Sequence, residues 1–217
     1  MCFNETASIL AFGVGVTVSA LLYFQNELNY SFMLFFISFI QLFEFFIHRA
    51  LKTGNVRINS FFTTLILIFV VLQPLVFVYL LHAFPVKNSS FVLPKRLRSN
   101  WLLLAYALVA VWAIYEMRRS MMTTSVEGCG AVCRLSWFSN TPFLPFLVLF
   151  VLYLCVTLSY LYTDSRLYVK YIIPIALVLS WIYVFFLKGS LRKKFTYAGS
   201  LWCFLSVFGG IFLLFRR

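Results

Sequence analysis

Three polar residues that can bind or transfer protons lie inside the apolar stretch FISFIQLFEFFIHRALK. They are Gln41, Glu44 and His48, and their spacing of three and four residues places them on one face of a helix. Ionisable and amide groups are costly in hydrocarbon, so each of them requires a partner or a role. Two interpretations are open: Glu44 accepts a proton or cation with His48 as its titrating partner, or the two form an intrahelical pair that neutralises a charge.

A further polar residue, Gln73, precedes Pro74 near the middle of the third apolar run. Proline removes one backbone donor and clashes with the preceding turn, so a kink is predicted there. The Gln73 amide can then bond a freed carbonyl or line a polar cavity. With Gln41, Glu44 and His48 it forms the predicted intramembrane polar path, in which the groups lie at different depths.

The elements that hold these residues are long apolar segments. Apolar residues are 63% of the chain and charged residues 11%, which excludes an ordinary soluble domain. At about 20 residues per membrane crossing, the composition predicts an all-α integral membrane bundle of seven transmembrane helices, forming a single domain over residues 1–217. The predicted helices cover about 7–24, 31–50, 60–83, 100–117, 142–162, 168–187 and 197–215. Small residues in the first and last of them permit close helix approach: Gly13, Gly15, Gly209 and Gly210.

The charge of the chain is strongly positive, with 18 Lys and Arg against 6 Asp and Glu and a net charge of +12. Basic pairs lie at the ends of apolar runs, as at Arg118-Arg119, so membrane lipids are the predicted partner and nucleic acid is not. No HExxH, P-loop or GxSxG motif is present, and the last apolar run holds no Lys to anchor retinal. We therefore predict no catalytic residues, no metal site, no cofactor and no enzyme activity.

Three cysteines fall outside the predicted helices: Cys2, Cys129 and Cys133. Seven crossings place them on the same side as the amino terminus, the 2–3 loop and the 4–5 loop, which we name the amino-terminal side. A disulfide among them, a metal site that includes His48, and free thiols are three open interpretations. The disulfide is favoured and predicts an amino terminus outside or in a lumen, compatible with the sequon at Asn4. The basic residues of the loops divide almost evenly and do not orient the chain.

The opening Met1-Cys2-Phe3-Asn4, followed by Ala7-Ser8, resembles the "MCWS…AS" opening of an uncharacterised family of small multi-pass membrane proteins from bacteria, algae and large DNA viruses. The other matching residues are Glu44 in the second helix, Gln73-Pro74 in the third, Trp137 after the cysteine-bearing loop, and Trp202-Cys203-x-x-Ser206 in the last helix. The family often has a His shortly before the loop Trp, whereas here Leu135 and Ser136 precede Trp137. The family has no established activity, so the resemblance implies an architecture and a set of signature residues: Pro74, Trp137, Trp202 and Cys203.

Two classes of function remain open from the sequence. The first is conduction or transport of a proton, ion or small solute through the polar path near Glu44. The second is a non-catalytic structural or assembly subunit of a larger complex in an organellar or viral membrane, with other membrane subunits or further copies of the chain as partners. Ligand sensing is a third class, for which no site can be named.

Overall fold

A computed structural model describes residues 4–83, 100–118, 123–127, 134–136 and 207–215, together with isolated positions between 148 and 205. Four helices are described in the amino-terminal half: α1 (Glu5–Phe24), α2 (Leu28–Lys52), α3 (Val56–Ala83) and α4 (Asn100–Arg118). Two three-residue strands, β1 (Ser125–Glu127) and β2 (Arg134–Ser136), pair in antiparallel fashion, and a short helix α5 (Ile211–Leu214) lies near the carboxyl end.

The helical class predicted from composition is confirmed for the described part of the chain, to which the small β1–β2 pair adds the only strands described there. Three helices are long and apolar enough to cross a membrane, over Glu5–Phe24, Leu28–Lys52 and Val56–Phe77. The predicted helices over 142–162 and 168–187, and most of 197–215, lie outside the described residues. The count of seven crossings therefore stays a prediction.

Short polar segments end one helix and begin the next. Asn4 caps α1, because its Oδ1 accepts a hydrogen bond from the Ala7 amide at 2.8 Å. α2 ends at Lys52, Thr53 is its carboxyl cap, and Gly54 follows with a φ of +66°, the left-handed conformation that glycine adopts without strain. Asn55 then accepts a bond from the Ile58 amide at 3.1 Å and starts α3. The link between α2 and α3 is consequently short, and the two helices lie antiparallel.

α1 and α2 approach each other closely and bond through buried serines. The hydroxyls of Ser19 and Ser31 each donate to the other residue's backbone carbonyl at 2.8 Å. Further along, Gly15 faces Ser38 so closely that a Cβ on Gly15 would lie 2.9 Å from the Ser38 Cβ. Small and hydroxyl-bearing residues therefore form this interface, as is common between membrane helices.

α2 and α3 pack through a layer of aromatic rings, the phenylalanine layer, formed by Phe36, Phe43 and Phe46 of α2 and Phe62 and Phe69 of α3. The rings of Phe36 and Phe69 stack with centroids 4.6 Å apart, and those of Phe46 and Phe62 stack at 4.7 Å. Phe43 meets Phe69 edge-on at 4.9 Å. Aromatic pairs in such geometries contribute about 0.5–1.5 kcal/mol each beyond the area they bury, so this layer fixes α3 against one face of α2.

α3 continues as one helix through Pro74. Three residues before the proline, the backbone carbonyl of Val71 accepts a hydrogen bond from the hydroxyl of the buried Tyr106 on α4 at 2.7 Å. The two roles open for the Gln73 amide, bonding a freed carbonyl or lining a polar cavity, stay predictions, and the Tyr106 bond is a separate contact near the proline. It also ties α4 to α3 at the level of the proline.

Candidate functional site

The three polar residues of α2 share one face and are buried. Gln41 and Glu44 are 0% exposed and His48 is 7% exposed. At 1.5 Å of rise per residue, they span roughly 10 Å along the helix axis. At about 100° of rotation per residue, this face lies on the side of α2 away from the phenylalanine layer. The predicted arrangement of these three residues on a common face is thus present, and the layer on α3 does not cover it.

The Gln41 amide is the least satisfied group of this face. Both its Oε1 and its Nε2 are buried and have no hydrogen-bond partner among the described residues. A buried polar group without a partner costs about 1–3 kcal/mol, so each such group in a folded protein requires an explanation. Gln41 lies one turn from Glu44 on the same face, which makes this pair the most polar point within the span.

The face ends in an apolar cluster one turn beyond Gln41. Ile37, four residues before Gln41, is buried in a group with Phe77 of α3 and Val207 near the carboxyl end of the chain. We name these three residues the apolar plug. Because Ile37 shares the face of Gln41, the polar groups of α2 are followed directly by packed hydrocarbon.

Gln73 is buried on α3, with 2% exposure, but it is not part of the α2 face. It lies four residues from Phe69 and hence on the side of α3 that carries the phenylalanine layer. The axial positions of the stacked rings place it about 11 Å deeper than Gln41. The structure therefore groups Gln41, Glu44 and His48 and leaves Gln73 separate from them.

A cavity of about 640 Å³ opens where α1 begins and α2 ends, and we name it the helix-end cavity. Its lining comes from Asn4 and Glu5 of α1, His48, Leu51 and Lys52 of α2, Val56 and Asn59 of α3, and the segment Thr123–Ser125. His48 is the deepest polar residue of the α2 face in this lining, and Glu44 lies one turn further in. The cavity thus reaches the outer end of the polar face.

An ion cluster lies beside the cavity. The Glu5 carboxylate pairs with the Lys52 Nζ at 2.6 Å and with the Arg49 Nε at 3.5 Å. Both basic side chains are largely exposed, so the pairs contribute little to stability. Two positive charges and one negative charge leave the cluster with a net charge of +1.

The segment that follows α4 is attached to the start of α3 by three polar side chains, Asn59, Thr63 and Thr124, which we name the Asn59 latch. The Asn59 Nδ2 donates to the Thr124 carbonyl at 2.8 Å, and the Thr124 amide donates to the Asn59 Oδ1 at 3.0 Å. The Thr63 hydroxyl donates to the Asn59 Oδ1 at 3.0 Å and lies 2.7 Å from the Thr124 hydroxyl. Asn59 thereby pairs with a backbone amide and carbonyl as a neighbouring strand would.

The latch was missed by the sequence analysis. Asn59 and Thr63 are one turn apart within the apolar run, which is a signal of a polar face, but Thr124 lies 65 residues from Asn59 and in a loop. Together with the Glu5–Lys52 pair, the latch places the start of α1, the α2–α3 link and the segment after α4 at one end of the helices.

All the cysteines of the thiol interpretations and three of the four signature residues lie outside the described residues: Cys2, Cys129, Cys133, Trp137, Trp202 and Cys203. The three interpretations of the thiols therefore stay predictions. Within the described part of the chain, no group of three or more His, Cys, Asp or Glu side chains is placed to hold a metal ion.

Comparison with protein-family models, with curated proteins and with solved structures gives no match to this chain. Its class therefore follows from its own helices and site. The described part defines a helical protein with three helices suited to cross a membrane and one of them carrying a buried polar face.

Proposed function

We propose that this chain is a seven-helix membrane protein that conducts or transports a proton or small cation past Glu44, with its amino terminus outside or in a lumen. The path begins in the helix-end cavity at His48 and continues along α2 to Glu44 and Gln41. The single observation that carries the proposal is the Gln41 amide, which is buried with both polar atoms unpartnered among the described residues and lies one turn from the buried Glu44.

The chemistry of the α2 face supports this function. A carboxyl group inside a span is expensive when ionised and far less so when it is protonated or holds a cation, so it exchanges between these states as ions arrive and leave. The Gln41 amide offers a carbonyl oxygen to a cation or to a protonated carboxyl, and it offers an N–H to a carboxylate. A packed structural face has no need of such a group, because an apolar residue of similar volume would fill the space at lower cost.

The apolar plug determines which structural change transport would require. Ile37, Phe77 and Val207 are buried directly beyond Gln41, so an ion that reaches Gln41 can continue only if these side chains separate and admit water. Apolar constrictions gate known channels in this way, by wetting and dewetting. In the present conformation the described part of the proposed path is packed at the plug, and the helix-end cavity reaches it only as far as His48.

The test is flux through the purified protein in liposomes that contain a pH-sensitive dye and carry a pH gradient. We expect wild-type protein to dissipate the gradient and Glu44→Gln to abolish this activity, because the amide cannot take up a proton. Glu27→Gln removes a carboxylate at the other end of α2 and should leave the flux unchanged. Equal flux in Glu44→Gln and wild type, with both proteins monodisperse and helical, would refute the proposal.

The alternative function is a non-catalytic structural or assembly subunit of a larger membrane complex. The observations that favour it are the packed apolar plug and the large apolar side chains that α4 exposes, among them Leu108, Val111 and Tyr115, which lipid or another subunit can cover. Absence of any flux from pure protein, together with copurification of other subunits in a fixed ratio, would support this alternative over transport.

A further inference from the structure

The helix-end cavity, which the transport proposal takes as the entrance of the path, has a positive electrostatic character. Lys52 lines the cavity, and with Arg49 and Glu5 it forms the ion cluster of net charge +1. Glu5 contacts both basic groups and balances one of their two charges, so the cluster as a whole keeps one positive charge beside the cavity. The surroundings of the cavity thus favour a negatively charged occupant.

Two polar atoms at the cavity have no partner within the described part of the chain. The Nε2 of His48 and the Oγ of Ser125 are both buried there without a hydrogen bond, and both residues line the cavity. His48 is 7% exposed, so its ring is held in place by its surroundings rather than free in solvent. The Ser125 hydroxyl, and the His48 Nε2 in the tautomer that carries a proton there, can donate to an anionic oxygen that displaces the groups now covering them, and this bond would satisfy an otherwise unpaired buried atom.

Two helices also begin at this cavity, since Asn4 and Val56 belong to its lining and stand at the starts of α1 and α3. First-turn N–H groups carry a partial positive charge that favours phosphate groups. At the start of α3 the Ile58 amide donates to the Asn55 side chain. The amides of Val56 and Arg57, which come first in the helix, do not share this cap. The starts of α1 and α3 therefore act in the same direction as Lys52, whereas the carbonyl end of α2 at the same cavity acts against them.

The position of the cavity and its apolar walls indicate that the anion belongs to a lipid and not to a free solute. It lies at the ends of two membrane-spanning helices, which is the depth of lipid headgroups, and its walls include the apolar side chains of Leu51 and Val56. A free anion would gain nothing from these apolar walls. A phospholipid places a phosphate next to a glycerol backbone and the first acyl carbons, and so matches both parts of the lining.

We propose that the helix-end cavity binds the phosphate of an anionic phospholipid headgroup, with Lys52 and His48 as its main contacts and Ser125 as a further donor. Glu5 limits the affinity, because it competes with the phosphate for Lys52. This site does not require transport through α2 and would serve an assembly subunit equally well. In a transporter the bound phosphate would lie at the entrance of the path and offset the positive charge there.

The experiment measures binding of dioctanoyl phosphatidylglycerol to the full chain in an uncharged detergent at fixed ionic strength, by native mass spectrometry and by the shift in Tm. Dioctanoyl phosphatidylcholine and sodium phosphate are the comparison ligands. We expect phosphatidylglycerol to bind more tightly than both. Equal binding of phosphatidylcholine would overturn the anionic preference, and equal binding of inorganic phosphate would overturn the assignment to a lipid.

Matched variants locate the site. Lys52→Gln should weaken phosphatidylglycerol binding about tenfold, the effect of one charge-assisted hydrogen bond. Arg57→Gln removes the same charge from an exposed residue at the same end that does not line the cavity, and should change binding less than about twofold. Glu5→Gln should tighten binding because it releases Lys52. Equal weakening by Lys52→Gln and Arg57→Gln, or no gain in Glu5→Gln, would refute the site.

Discussion

Replacing Gly15 by Ala tests how closely α1 and α2 must approach. A Cβ at this position would lie 2.9 Å from the Ser38 Cβ, still closer to the Ser38 hydroxyl, and 3.2 Å from the Val207 Cγ1. The hydroxyl cannot simply turn aside, because it donates to the Leu34 carbonyl at 2.7 Å. Gly13 is the matched control: it is an exposed glycine two residues earlier in the same helix, and a Cβ there would have no neighbour within 4 Å.

The magnitude follows from two opposing effects. Alanine is better than glycine inside a helix by up to about 1 kcal/mol, and this gain is available at both positions. Overpacking of a close contact costs about 1–3 kcal/mol, and it applies at Gly15 alone. We therefore expect Gly15→Ala to lower the free energy of unfolding by about 1–2 kcal/mol and Gly13→Ala to leave it unchanged or raise it by up to about 1 kcal/mol.

The assay is unfolding of the purified protein in mixed micelles titrated with sodium dodecyl sulfate, followed by circular dichroism. A double-mutant cycle with Ser38→Gly, which removes both close atoms, should give a coupling free energy of about 1 kcal/mol or more in favour of the double variant. If Gly15→Ala and Gly13→Ala have the same stability, or the cycle shows no coupling, the close approach of α1 and α2 at Gly15 is wrong.

Two further predictions concern single hydrogen bonds. Tyr106→Phe should lower the free energy of unfolding by about 1 kcal/mol in the same assay, because it removes the donor to the Val71 carbonyl. Tyr79→Phe, at an exposed tyrosine of α3, should have no effect, and equal losses in the two variants would contradict the bond. Asn59→Ala should speed hydrogen exchange of the Thr124 amide about tenfold or more, because that amide donates to the Asn59 Oδ1. Unchanged exchange would show that the Asn59 latch does not hold the segment after α4.

The α2 face was predictable because its signal is local. Polar residues three and four apart in an apolar run fall on one face of a helix whatever the rest of the chain does, and Gln41, Glu44 and His48 obey that rule. The helices themselves follow from long apolar runs interrupted by polar segments such as KTGNVRIN, although α2 and α3 begin a few residues before the predicted starts. The observed starts at Leu28 and Val56 add short stretches of mixed apolar and polar residues that precede the long apolar runs on which the predicted starts were based.

The partners of the predicted residues could not be predicted, because they depend on which helices meet. Gly15 indicated a close approach but did not identify Ser38 as the neighbour. The partners within the Asn59 latch could not be predicted either, because its members lie far apart in sequence. The neighbours of Gln73 also depend on which helices meet. Gln73 matched the polar path by residue type, yet it lies on the side of α3 that packs through aromatic rings.

The rigid parts of the fold explain why the α2 face stays polar and buried at once. α3 is fixed to one side of α2 by the phenylalanine layer, and α1 is fixed to another by Gly15 and the paired serines, so α2 cannot rotate to expose Gln41 and Glu44. Rotation of α2 within a membrane would in any case turn the amide toward hydrocarbon, which offers it no hydrogen-bond partner. Water or an ion must instead come to the face, from the helix-end cavity at His48 or through the apolar plug at Ile37. Transport and assembly therefore differ in one structural requirement: a transporter must open the plug in some state, whereas an assembly subunit can keep it packed throughout.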